Sequence, residues 1–202
     1  MDIYFILYFV VGYLIGSIPF ALIVGKTIYK VDIRNHGSGN LGGSNAGRVL
    51  GSKAGALVIV LDVLKAVIPT LIVLALNKTD YAIILGLAIA IGHCYPIFAG
   101  FRGGKAVATS FGYIGACTLT NPTLFIFVLI VPLITLYSVI KITKYVSLGS
   151  LVSLGLAVVL SYILQSNLVL SISFSLLWMF VVFRHWPNIQ NLRNHTEKKV
   201  SW

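Results

Sequence analysis

Arg34-Asn-His-Gly-Ser-Gly-Asn-Leu-Gly-Gly-Ser-Asn-Ala-Gly-Arg48 lies between two apolar runs, about Ile3–Val24 and Ala54–Leu76. Each run has the length of a bilayer span, for which about 20 mostly apolar residues are needed. A polar, glycine-rich island between them therefore reads as a loop at a membrane surface. Its glycines, Gly37, Gly39, Gly42, Gly43 and Gly47, permit positive φ and close approach of another molecule. Successive backbone N–H groups in such turns can form a concave anion site. Arg34 and Arg48 each carry a guanidinium able to fork onto phosphate or carboxylate. The plainer alternative is a flexible connection, since Gly, Ser and Asn are ordinary turn residues, but a linker has no need of an arginine at each end.

The rest of the composition agrees with a membrane setting. The 202 residues are 58% hydrophobic and 10% charged, with a mean hydropathy of +0.96. Soluble domains are far less apolar and more charged, so the fold class expected is an all-α integral membrane protein. A net charge of +10 and a pI near 9.8 would suggest nucleic acid in a soluble protein. Here the cations flank apolar spans, so membrane orientation and an anionic lipid or substrate explain them better, and no nucleic-acid partner is expected. Cys94 and Cys117 sit in apolar stretches without CxxC or Cys/His spacing. They are read as packing residues, not as a zinc site or disulfide framework. Met1-Asp2-Ile3 lacks a basic n-region, so the first run is read as a retained span and not a cleaved signal.

Seven spans are predicted, at about Ile3–Val24, Ala54–Leu76, Tyr81–Phe98, Ala106–Leu119, Thr123–Ile140, Val146–Leu164 and Leu168–Phe183. Gly12, Gly16 and Ser17 suit close helix packing in the first, and Pro19 should kink it. Asn77–Asp80, Asn121-Pro122 and Gln165–Asn167 are the short turns. Of the fifteen Lys and Arg, only Lys78 then falls on one face and only Lys65 inside a span. All others share the opposite face, a strong positive-inside pattern that predicts an outer N-terminus and a cytoplasmic C-terminus. Asp62 and Lys65, three residues apart, share a helical face within the second span. They are read as an ion pair that neutralises itself, or alternatively with Lys65 facing a polar active-site cleft.

Four polar clusters, 34–48, 100–109, 141–150 and 184–197, meet at the predicted cytoplasmic face, so the chain is read as one membrane domain, 1–202, with its site there. The second cluster, Gly100-Phe-Arg-Gly-Gly-Lys-Ala106, resembles a P-loop but fails in glycine spacing and in having Ala106 where Ser or Thr would meet magnesium. A simpler anion site remains, with the N–H groups of Gly103 and Gly104 near a helix N-terminus and Lys105 adding charge. Acids are scarce: Asp32, Asp62 and Glu197 are the only ones apart from the N-terminus and the outer turn. No carboxylate pair suits metal or glycoside chemistry, and no serine elbow is present. Arginine, lysine, glycine, serine and asparagine together suit the binding of anionic groups, pointing to phosphorylated, partly lipidic substrates. His93 is read as a structural histidine at a helix end, with a catalytic base as the alternative. On a continued helix His185 and Asn188 would share a face and contact a hydroxyl or phosphate, a plain interfacial tail being the other reading. His36 and His195 receive no role.

Gly37-Ser-Gly-Asn-Leu-Gly-Gly-Ser-Asn45 with Arg48, Gly92-His-Cys-Tyr-Pro96 with Phe101-Arg-Gly-Gly-Lys-Ala-Val-Ala-Thr109, Lys144-Tyr-Val-Ser-Leu-Gly-Ser150, and Arg184-His-x-x-Asn-Ile189 with Thr196-Glu197 follow one another along nearly the whole chain. Together they resemble the bacterial membrane acyl-phosphate:glycerol-3-phosphate acyltransferase family. The resemblance implies a seven-span enzyme of the cell membrane with its active site on the cytoplasmic side. It would move a fatty acyl group from acyl phosphate to the 1-hydroxyl of sn-glycerol 3-phosphate, releasing lysophosphatidic acid and inorganic phosphate, as the first committed acylation of phospholipid synthesis. No metal or other cofactor is implied, and a monomer is expected to suffice.

Carried over residue by residue, the resemblance assigns Ser38, Asn40, Asn45 and Arg48 to the first motif, holding phosphate, with Gly37, Gly39 and Gly42 shaping it. Gly103, Gly104 and Lys105 would form the second anion cradle. Ser147 and Ser150 would contribute the third motif, and His185 and Asn188 would orient the glycerol. Ser38, Arg48, Lys105, His185 and Asn188 are taken as the catalytic set. An acyl phosphate is already activated, so catalysis needs placement, oxyanion stabilisation and neutralised phosphates and no covalent enzyme intermediate. Three positions depart from the family's habit: Ala106 and His195 stand where glycine is usual, and Gly43 where alanine is common. Alanine at a helix start is read as benign. Two rivals stand beside this reading. One is a transporter or channel for phosphorylated anions, and the other a scaffold binding anionic lipid by its basic face.

Overall fold

The computed structural model describes residues 2–164 and 167–200. Gln165 and Ser166 of one expected turn, and Trp202 at the end of the tail, lie outside the described residues. The described chain is helical, with no strands among the described residues, and divides into two compact units, 1–117 and 118–202.

The first unit opens with α1 (Ile3–Gly16) and α2 (Phe20–Thr27). The break at Ser17–Pro19 is where the proline was expected to bend the first span. Asp2 caps α1 by accepting from Tyr4 N (3.1 Å) and also accepts from Tyr81 Oη (2.6 Å). A 3₁₀ turn (Ile33–Asn35) leads through the glycine island to α3 (Gly43–Leu50), α4 (Ser52–Ala75) and α5 (Thr79–Cys94). The island is thus not a loop throughout, because its second half is a helix. Glycine disfavours a helix by roughly 1 kcal/mol per residue relative to alanine. Here packing overrides it: a Cβ on Gly55 of α4 would overlap the backbone of Gly47 of α3, and one on Gly43 would overlap Ile59, so the two helices lie close together only because Gly55 and Gly43 lack side chains.

α1 packs on α5 by the same device. A Cβ on Gly16 would overlap the backbone of Ile89, and one on Gly92 would overlap the carbonyl of Tyr13. Tyr8 stacks on Tyr81 at 4.9 Å between ring centroids. α6 (Val107–Thr118) follows a 3₁₀ turn (Ile97–Ala99). Its Thr109, Ser110, Phe111, Tyr113, Ile114 and Ala116 are buried. At 1.5 Å per residue it is about 18 Å long, shorter than the roughly 30 Å hydrocarbon core of a bilayer.

In the second unit α7 (Pro122–Leu124), a π-helical stretch (Phe125–Ile130) and α8 (Val131–Thr143) form one rod, Pro122–Thr143. α9 (Val146–Leu164) and α10 (Leu168–Arg184) follow. α10 bends by 59° at His185 into α11 (Trp186–Arg193), where Pro187 supplies a helix-starting residue. Among the described residues, five helices can cross a membrane by length and composition, or six if the bent pair is one span.

The burial pattern is that of a protein dissolved in lipid. Along α4 the exposed side chains include Leu57, Val60, Leu64, Ile68 and Ile72, at helical spacing. Asp62 and Lys65 point inward and are buried, with 1% and 6% of their surfaces exposed. Apolar residues outside and charges inside are stable only where the surroundings are themselves apolar.

Candidate active site

In the first unit the island folds around Asn45. Its Oδ1 accepts from Ser38 N (2.9 Å), and its Nδ2 donates to the carbonyls of Ile33 and His36 (3.2 Å each). Gly37 (φ +65°) and Gly39 (φ +70°) make the turn between them, and a Cβ on Gly37 would overlap Asn45 Oδ1. Asn45 is therefore a buried clamp, its amide committed to the loop and not to a phosphate as the sequence reading has it. Ser38 is left exposed, its Oγ accepting from Asn40 Nδ2 at 3.2 Å. Gly42 starts α3 without a side-chain cap, so the N–H groups of its first turn have no side-chain acceptor.

The two arginines have different fates. Arg34 forks onto Asp32, Nε to Oδ1 at 2.9 Å and Nη2 to Oδ2 at 2.6 Å, and Lys26 adds a contact of 3.4 Å. Arg34 is thus occupied by a neighbour, contrary to its expected role as a phosphate fork, and its hydrogen bond holds the Asp32 carboxyl well below the usual carboxylate range. The Arg48 side chain is exposed and, among the described residues, makes no hydrogen bond or ion pair.

The second cluster packs onto the end of α5. Gly104 N donates to His93 O (3.0 Å), and Leu41 N of the island donates to Gly103 O (3.3 Å). The Gly104 N–H is thus used within the fold and does not serve as the anion donor expected of it, which passes that part of the cluster to Gly103 and Lys105. What both glycines supply is closeness: a Cβ on Gly103 would overlap His93 O, and one on Gly104 the His93 ring. His93 is buried at the end of α5, with Nδ1 2.9 Å from Lys65 Nζ.

Ala106 lies just ahead of α6 with φ +61°, and His195 has φ +58°. These are two of the positions where glycine is usual in the family resembled, and both occupy the left-handed region that glycine enters without penalty. The reading of Ala106 as a benign helix start is therefore corrected. Its carbonyl serves α6, accepting from Thr109 Oγ1 (2.8 Å) and Ser110 Oγ (2.6 Å).

In the second unit the polar centre is Glu197, to which the sequence reading gives no role. Its Oε1 accepts from Ser147 Oγ and Asn188 Nδ2, both at 2.7 Å, and its Oε2 from Asn191 Nδ2 at 3.4 Å. Thr196 N and Glu197 N both donate to Asn191 O (2.8 and 3.2 Å), and Val200 N to Lys144 O (2.9 Å), so the tail is folded back. The scarcity of acids and its place in the Thr196-Glu197 motif were the sequence signals for Glu197. Ser150 differs from its expected role: it is buried and donates to Val146 O of its own helix (2.8 Å). His185 stands at the bend and not on a continued helix. It is buried, and its Nδ1 donates to Val181 O (2.8 Å), which leaves Nε2 as the acceptor in the neutral ring.

Residues 6–195 match the glycerol-3-phosphate acyltransferase family. The chain belongs to that family. A glycerol-3-phosphate acyltransferase of Listeria monocytogenes serotype 4a is 46% identical, with all of both chains covered. One of Geobacillus kaustophilus is 44% identical over 95% of this chain and 93% of its own. Among solved structures, the glycerol 3-phosphate form of PlsY, an integral membrane glycerol 3-phosphate acyltransferase, aligns with a TM-score of 0.89 at 32% identity, covering 98% of this chain and 96% of that one. Its lysophosphatidic acid form aligns with a TM-score of 0.87 at 31% identity, over 98% and 95%. Membership in this family of membrane acyltransferases fits an all-helical chain with bilayer-length apolar helices.

Proposed function

We propose that this chain transfers a fatty acyl group from acyl phosphate to the 1-hydroxyl of sn-glycerol 3-phosphate at the cytoplasmic face of the bacterial cell membrane. The observation that carries the reading is the likeness, over nearly the whole chain, to an acyltransferase solved with glycerol 3-phosphate and with lysophosphatidic acid. The chain would cross the membrane seven times as one domain, 1–202, with the short buried α6 counted among the crossings. The N-terminus would be outside, and a monomer would carry every residue invoked.

The chemistry asks little beyond placement and charge. The glycerol C1 oxygen attacks the acyl carbonyl carbon and the new ester bond forms. The bond from that carbon to the phosphate oxygen breaks, and the hydroxyl proton leaves with inorganic phosphate. Two phosphate groups must be held. Arg48, with no partner among the described residues, and Lys105 are suited to neutralise them. Ser38, Asn40 and the uncapped start of α3 at Gly42 offer donors to phosphate oxygens, with Gly37 and Gly39 shaping the turn and Gly103 giving room. His185, with Nε2 able to accept, and Asn188, oriented by Glu197, suit a glycerol hydroxyl. Ser147, Ser150 and Asn45 act by holding these groups in place. An apolar groove of about 400 Å³ lined by Ile18, Pro19, Leu22, Ile23 and Phe98, with Lys26 beside it, suits part of an acyl chain.

Donor exchange tests the proposal. Palmitoyl phosphate should support formation of lysophosphatidic acid from sn-glycerol 3-phosphate, and palmitoyl-CoA should not. Equal use of the two donors would overturn the donor assignment, and uptake of phosphate into vesicles without acylation would favour the transporter.

A further inference from the structure

Asp62 and Lys65 on α4 and His93 at the end of α5 form a buried group that the chemistry above does not use. Lys65 Nζ is 2.7 Å from Asp62 Oδ1, 2.9 Å from His93 Nδ1 and 3.1 Å from Ile18 O. An ammonium has three hydrogens, and three acceptors surround it. Asp62 Oδ1 is also 3.4 Å from His93 Nδ1, and it is a charged Lys65 that makes Nδ1 an acceptor and puts the ring hydrogen on Nε2. Against that same Nε2 edge rests Gly104, with no room for a Cβ, while its N–H donates to His93 O. Gly103, equally close to His93, accepts from Leu41 of the first motif, and Lys105 is the next residue.

An ion pair in the interior of a membrane protein is not explained by stability alone. Replacing both partners with apolar groups is often neutral or stabilising, whereas losing one strands a charge. We propose that Asp62, Lys65 and His93 are positioning residues: the pair presents one ammonium hydrogen to His93, the fixed imidazole seats Gly104, and Lys105 is thereby held toward the substrate phosphate. The last step rests on the function proposed above; the seating of the loop does not.

Two neutral double variants of similar size separate this role from a pair that merely cancels its own charge. Asp62→Asn with Lys65→Met removes the hydrogen given to His93, and Asp62→Asn with Lys65→Gln keeps a donor there. In purified protein, amide exchange of the segment 100–106 should rise about tenfold in the methionine variant, the equivalent of one lost hydrogen bond. It should stay near wild type in the glutamine variant, with thermal midpoint and elution unchanged in both. In acylation the methionine variant should lose about tenfold or more in kcat/KM for sn-glycerol 3-phosphate. Equal exchange in the two variants would overturn the proposal whether or not the wild type acylates glycerol 3-phosphate. Loosened exchange with unchanged kcat/KM would overturn the link to Lys105. If neither variant folds, nitrogen-15 NMR of the wild-type histidines decides. His93, assigned by its loss in His93→Asn, should have a bare Nδ1, and a hydrogen on Nδ1 would contradict the account.

Discussion

Arg34 and Arg48 bracket the same island and look alike in the sequence, yet one is bound to Asp32 and the other faces outward without a partner among the described residues. Arg48→Ala should therefore cut turnover by two orders of magnitude or so while the protein inserts and elutes normally, about what one lost charge contact to a transition state is worth. Arg34→Ala should leave turnover within about threefold and act on loop stability instead, because exposed ion pairs contribute at most about 1 kcal/mol. Steady-state assays on both, with thermal melts as the control, check this contrast. Ala106 and His195 are the second case at this scale. Each holds a left-handed backbone, which costs an L-residue roughly 1–2 kcal/mol and is partly offset by the greater unfolded-state entropy of glycine. Ala106→Gly and His195→Gly should each raise the thermal midpoint by a degree or more at unchanged kcat; a fall in midpoint at both would show the backbone there to be unstrained. Sequence alone gave the residue types of the site but not their partners. Asn45 reads as a ligand because its clamp acceptors are main-chain carbonyls, which no side-chain pattern announces. Glu197 draws on Ser147, fifty positions away.

Among the elements, the apolar rods were legible because a bilayer imposes a length and a hydropathy on whatever crosses it. Val146–Leu164 appears with the boundaries expected, and the break near Pro19 follows from the missing donor of proline. α3 was not legible, since a segment rich in glycine and asparagine has poor helix propensity and is supported by packing on α4, where Gly55 leaves no room for a Cβ. The second turn of α10 into α11 was missed for a related reason, as a bend at His185 is set by Pro187 and not by hydropathy. The glycine contacts between α1 and α5 make a prediction for these elements. Gly16→Leu would force the helices apart, and overpacking of this kind costs about 1–3 kcal/mol or more. The purified yield and midpoint should drop sharply, whereas Gly42→Ala, which meets nothing within 4 Å, should leave the midpoint close to wild type. An unchanged midpoint in Gly16→Leu would contradict this packing.

For the whole molecule, the one-sided distribution of cations sets the orientation proposed, because lysine and arginine are retained on the cytoplasmic side of membrane spans. Single cysteines report it. In cells lacking Cys94 and Cys117, a membrane-impermeant thiol reagent should label Lys78→Cys, and should label Lys53→Cys and Lys141→Cys only after the membrane is opened. The reverse pattern would turn the protein over, and labelling of both faces would change the number of crossings. Function at this scale rests on coupling two products to one event. Purified protein in lipid, given palmitoyl phosphate and sn-glycerol 3-phosphate without added metal, should release inorganic phosphate and lysophosphatidic acid in equal amounts, with neither formed when the acceptor is omitted. Phosphate released without lysophosphatidic acid, or neither product from folded protein, would contradict the account.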